Sequence, residues 1–183
     1  MIHLILGGAR SGKSRYGETQ VTTLFQQGFR CHYIATAQGL DSEMRERIAR
    51  HQMERAAADV PWILHEWPVD LASHLAELSH TLDGNSVVMI DCLTLWLTNE
   101  LLRENCDWPA QKSALLALLP KLPGHLVMVS NEVGSGIVPM GELSRQFVDE
   151  AGWLNQAIAA AADEVTLVVA GLPLTLKPPA LSV

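Results

Sequence analysis

The chain has 183 residues, 48% of them hydrophobic, and a formal net charge of −7 at pH 7 with histidine neutral. That length buries one sizeable core and is short for two, so a single domain over 1–183 is expected. The acidic balance argues against a protein whose main work is gripping nucleic acid. Cys31, Cys92 and Cys106 are odd in number and lack the paired spacing of a zinc site or a disulfide framework, which fits a reducing cytoplasm.

The first apolar run, 2–6, reads as a strand; it is far too short for a membrane span or a signal-peptide core. It leads into Gly7-Gly8-Ala9-Arg10-Ser11-Gly12-Lys13-Ser14, followed by a segment of helical period over 13–27. Two glycines with four residues between them, Gly7 and Gly12, then Lys and Ser, between a strand and a helix, make the phosphate-binding loop pattern in its required context. Glycines let the backbone curl so that several N–H groups face one anion, and the helix aims its positive end at the same point. Lys13 is expected to reach the β- and γ-phosphates of ATP or GTP, and Ser14 to hold Mg2+.

A second strand is expected over 31–35 and a charged helix over 42–57, capped by Asp41 or Ser42, with Met44 and Ile48 as its buried stripe. Arg47 lies four residues before His51 and Arg55 four after, so a helix puts the three on one face. Two guanidinium groups would disfavour protonation of the imidazole and attract phosphate, a workable arrangement for covalent transfer. Spacing alone favours the plainer reading of a solvated charged face, with Glu46 and Glu54 balancing the arginines, and does not by itself make His51 catalytic.

Strand 62–66 and helix 70–81 precede the run 87–91, a buried strand ending in Asp91. In open α/β sheets ligands collect beyond the carboxyl ends of the strands, so Asp91 faces the same crevice as the glycine loop and can carry metal. The alternative is an ordinary helix cap, since helix 93–103 follows. Helix 110–119 is next, Pro120 and Pro123 bracket a turn, and strand 126–130 runs into the polar, glycine-punctuated segment from Asn131 to Pro139. A helix over 143–162 and a strand over 165–169 follow, and 172–183 reads as a loosely held tail. Apolar strands alternating with helices predict an α/β, P-loop nucleotide-binding fold, a mostly parallel sheet with helices on both faces.

Five segments taken in order resemble one family. They are the glycine loop; Tyr33-Ile34-Ala35-Thr36-Ala37; the stretch from Asp41 to His51; Asn131-Glu132-Val133-Gly134-x-Gly136-Ile137-Val138-Pro139; and Phe147-x-Asp149-x-Ala151-Gly152-x-x-Asn155-Gln156. The family is the bifunctional adenosylcobinamide kinase and adenosylcobinamide-phosphate guanylyltransferase of cobalamin biosynthesis. The resemblance implies phosphorylation of the aminopropanol hydroxyl of adenosylcobinamide with ATP or GTP, then transfer of GMP from GTP to that phosphate, giving adenosylcobinamide-GDP. It implies that His51 carries GMP during the second step. Nucleotide contacts would fall on Gly7 to Ser14, Ala35 and Thr36, the residues just after His51 (Gln52, Met53, Glu54, Arg55), Glu66 and Asp91, with Ser14 and Asp91 on Mg2+. Family members are similar to one another in forming homotrimers. Three positions depart from the usual family pattern: Arg50 stands where a second histidine is common, Gln52 to Ala56 replaces a Lys-Asp-Gly-Arg-Pro-like stretch, and Asp91 stands where many relatives have Glu. A small-molecule kinase using only the phosphate loop and Asp91 is the rival function; a GTP-binding switch is disfavoured, because no Asn-Lys-x-Asp sequence occurs in the chain.

Overall fold

Runs of β-branched and aliphatic residues with no intervening charge can be buried on both sides, and here they form the interior of one sheet. In the structure, a computed structural model that describes residues 1–179, these are β1 (Ile2–Gly7), β2 (Arg30–Ala35), β3 (Ile63–Glu66), β4 (Ser86–Asp91), β5 (His125–Asn131) and β6 (Glu164–Val169). Between them lie α1 (Lys13–Gln26), α2 (Ser42–Ala56), α3 (Leu71–Ser79), α4 (Leu93–Leu102), α5 (Trp108–Leu118) and α6 (Glu142–Ala161). With Leu172–Lys177 as β7, the strand order is β3-β2-β4-β5-β1-β6-β7, with every pair up to β6 parallel. The strands' two-residue alternation divides the core between the faces of the sheet. Leu4, Leu6, Val88, Ile90 and Met128 meet Trp96 and Leu97 of α4, Leu115 of α5 and Leu154 of α6. Ile5, Tyr33, Met89 and Val129 meet Val21 of α1 on the other face.

Local signals set the helix ends. Asp107 accepts from the Ala110 amide at 3.0 Å, so α5 begins two residues before the expected 110, with Pro109 in its first turn where a missing N–H is harmless. Asp41 accepts from the Met44 amide at 2.7 Å and caps α2. The expected tail is a correction: Leu172–Lys177 forms β7, antiparallel to β6, and 180–183 lie outside the described residues. Ala170 and Gly171 both have positive φ, 51° and 79°, the left-handed pair that a tight hairpin requires. Lys177 then donates to the carbonyls of Ala159 and Ala160, both at 3.2 Å, and to that of Ala162, closing the carbonyl end of α6.

Burial lowers the pKa of His3, His32, His65 and His125 below the ordinary 6.5. For His32 the neighbouring His65, 3.1 Å away, and Arg30 act in the same direction. The unfolded chain therefore binds protons more readily than the folded one as pH falls below about 6.5, and stability falls with it. The expected result is a Tm that declines steadily between about pH 7.5 and 5.5. A Tm flat over that interval would contradict this account.

Candidate active site

The carboxyl ends of β2, β3, β4 and β5 open onto one cavity of about 520 Å³, and Lys13 and Ser14 line it from the end of the glycine loop. Gly7 closes β1 where a Cβ would lie 2.4 Å from the Ser11 hydroxyl and 2.7 Å from the Val168 carbonyl, so no larger residue fits. Arg10 and Gly12 take left-handed φ of 57° and 93°, which curls the loop back toward α1. The turn between β6 and β7 braces it, the Gly171 amide donating to the Ser11 carbonyl at 2.8 Å. Among the described residues the buried Ser11 hydroxyl has no hydrogen-bond partner, and it is a donor held inside the loop.

Lys13 is 8% exposed and donates to the Gly8 carbonyl at 3.0 Å. Burial pushes its pKa down, against the opposing pull of Cys92 and Asp91. Lys13, Ser14 and Asp91 all line the cavity. Asp91, paired in register with Ala35 across the sheet, accepts from the Tyr33 hydroxyl at 3.1 Å. The helix-cap alternative falls away, because Cys92 occupies the N-cap of α4 and makes no side-chain cap bond.

Ala35 lines the cavity, but Thr36 is wholly buried beside it. Its hydroxyl donates to the Cys92 carbonyl at 2.7 Å and accepts from the Cys92 amide at 2.8 Å, which fixes the junction of β4 and α4. Glu66 borders the cavity from the end of β3.

The roof is α2. Met44, Arg47, Ile48, His51, Gln52 and Arg55 recur at helical spacing and face the cavity, so this stripe is not a purely solvated face. His51 thus shares one cavity with Lys13 and Asp91. Arg55 is 9% exposed, with its guanidinium 3.9 Å from the centroid of the Tyr33 ring. Met53 is 73% exposed and turned away, and the Glu54 side chain lies outside the described residues.

Two contributors carried no individual signal in the sequence. Tyr33 is a buried aromatic within a strand, indistinguishable there from core. Asn131 lines the cavity and donates to the Thr94 hydroxyl at 2.7 Å, while Asn155 donates to its carbonyl at 3.3 Å and accepts from Ser130 at 2.7 Å. That network ties the end of β5 to α4 and α6.

Residues 3–176 match the CobU family, cobinamide kinase / cobinamide phosphate guanyltransferase. This chain belongs to that family. This chain is 50% identical to the bifunctional adenosylcobalamin biosynthesis protein CobP of Pseudomonas aeruginosa, over 97% of this chain and 98% of that one. It is 39% identical to the CobU protein of Escherichia coli K12, over 97% and 100% of the two chains. Like the family, it is a bifunctional enzyme of adenosylcobalamin biosynthesis, with kinase and guanyltransferase activities. Among solved structures it is similar to the flagellar accessory protein FlaH of Methanocaldococcus jannaschii, with a TM-score of 0.56 at 11% identity over 97% of this chain and 78% of that one. The KaiC-like protein PH0186 of Pyrococcus horikoshii has a TM-score of 0.50 at 14% identity, over 91% and 69%. At such identities the likeness concerns the fold, the P-loop α/β class expected from the sequence.

Proposed function

We propose that the enzyme phosphorylates the aminopropanol hydroxyl of adenosylcobinamide with ATP or GTP, then moves GMP from GTP onto the new phosphate by way of His51. The observation that carries this is the single cavity in which His51 on α2 stands with Lys13 and Asp91. In the kinase step the substrate oxygen forms its bond to the γ-phosphorus as the bond to the nucleoside diphosphate breaks. Charge on the three transferring oxygens is the main cost, and the amides from Gly8 to Ser14 with the Lys13 ammonium are the groups that offset it. Ser14 and Asp91 offer an alcohol and a carboxylate oxygen, the hard donors that suit Mg2+, which would supply further neutralisation of the phosphates. Gln52 and Glu66, which line the cavity, are the side chains that would meet the base or ribose.

In the second step an imidazole nitrogen of His51 forms a bond to the α-phosphorus and pyrophosphate leaves; an oxygen of the corrinoid phosphate then displaces the histidine. GTP labelled at the α-phosphate, added without acceptor, should leave label on the protein. Adding adenosylcobinamide phosphate should then move it to the corrinoid. Label that reaches the corrinoid without ever being found on protein would count against the covalent route.

We also propose a cytoplasmic homotrimer. Cys31, Cys92 and Cys106 are free thiols, as a reducing compartment leaves them. The family resemblance motivates the trimer, and the loop after β5 supports it: Ile137 and Met140 are 98% and 97% exposed, an apolar surface that a subunit contact would cover. Sedimentation equilibrium at micromolar concentration is expected to give three times the chain mass, and a fully active monomer would rule this out.

A further inference from the structure

The helix that carries His51 is thinly held. Along α2 every described residue except Arg55 is exposed or only half-buried, so among the described residues the one buried side chain of the helix is a guanidinium. A buried cation needs partners, and one of them here is the face of Tyr33, 3.9 Å away. The Tyr33 ring cannot drift, being 2% exposed and set edge-on against Trp62 with centroids 5.4 Å apart. Its other end is the hydroxyl that donates to Asp91 at 3.1 Å.

We propose that Tyr33 and Arg55 are positioning residues that join the two halves of the site: the Arg55–Tyr33 stack docks the last turns of α2, and the Tyr33 hydroxyl orients the Asp91 carboxylate. Arg55 is one helical turn beyond His51, so the stack fixes where the imidazole can point. Asp91 has two oxygens, and the tyrosine hydroxyl donates to Oδ2, which fixes the rotation of the carboxylate. The consequence for guanylylation rests on the role proposed above for His51; the docking of α2 does not.

Three variants separate the parts. Tyr33→Phe keeps the ring and removes the hydroxyl, Tyr33→Leu removes both, and Arg55→Lys keeps the charge but loses the planar face. Backbone hydrogen exchange of 42–56 in the full chain without nucleotide reads the docking directly. Tyr33→Leu and Arg55→Lys should exchange on the order of tenfold faster there than wild type, a size suited to loss of a desolvated cation–π contact, while Tyr33→Phe should not. The Mg2+ dependence of GTP affinity, measured by calorimetry, reads the other end, and Tyr33→Phe should need several-fold more Mg2+. Incorporation of GMP into protein should fall on the order of tenfold in Tyr33→Leu and Arg55→Lys. Wild-type exchange over α2 in those two variants, or equal loosening by Tyr33→Phe and Tyr33→Leu, would overturn the docking role. An unchanged Mg2+ dependence in Tyr33→Phe would overturn the orienting role. If GMP labels a residue other than His51, the proposed function is at fault, and the exchange result still decides the docking.

Discussion

Lys13→Ala is expected to lower both half-reactions by about two to three orders of magnitude, the size found when one preorganised donor is removed from a developing anion. The side chain is 8% exposed at the floor of the cavity, so its charge acts through little intervening water. Its ammonium lies against the Gly8 carbonyl at 3.0 Å, on the curl of the loop itself. Both proposed reactions hold a triphosphate in that loop, so both lose the same compensating charge. Alanine leaves the glycine geometry in place, and α1 has no need of lysine in its first turn, so the fold should persist. The measurements are the turnover of cobinamide phosphorylation, the rate of GMP incorporation and the affinity for GTP, with circular dichroism as a check on folding. Wild-type kinase turnover together with wild-type GTP affinity would show that the loop is not the phosphate site.

What the sequence could disclose followed from the range of the interactions. The phosphate loop is local: its glycines, lysine and serine act within eight consecutive residues, from Gly7 to Ser14, and the strand before and helix after are visible at once. Strands β1, β4 and β5 were legible for a similar reason, since burial on both faces leaves continuous apolar runs. β7 was not, because only two of the signals of a hairpin, Ala170 and Gly171, separate it from β6, and alanine is a poor sign of a left-handed turn. The character of α2 was ambiguous in sequence because charge spacing does not say which side meets the protein. Its orientation depends on Arg55 meeting Tyr33, and the setting of Asp91 depends on a tyrosine 58 positions earlier. Thr36 illustrates the opposite case: position and residue type suit a ligand contact, yet its hydroxyl is held by the Cys92 backbone.

His51→Ala is expected to abolish GMP transfer while phosphorylation of adenosylcobinamide largely persists. The division follows from the two displacements. In the proposed scheme the kinase step uses an acceptor hydroxyl, the loop, Lys13 and the Asp91 carboxylate, and it forms no bond to protein. The proposed guanylylation instead needs a nucleophile that accepts GMP and gives it up again, and an unprotonated imidazole can do both, because its nitrogen attacks readily and the resulting phosphoramidate remains reactive. Arg47 and Arg55 line the same cavity and would supply positive charge near the transferring group. Removing the imidazole disturbs little packing, since His51 is only half-buried on a peripheral helix. GTP labelled at the α-phosphate should mark wild-type protein through an acid-labile, alkali-stable bond and leave the alanine variant unmarked. The variant's transfer rate should fall by at least about three orders of magnitude, as for loss of a covalent nucleophile. If His51→Ala still moved GMP at the normal rate, or the label mapped elsewhere, the covalent route through His51 would be wrong even though the chain remained a member of its family. A variant lacking both activities and retaining its fold would instead mean that α2 also serves the kinase step, so that the two reactions share the roof of the cavity as well as its floor.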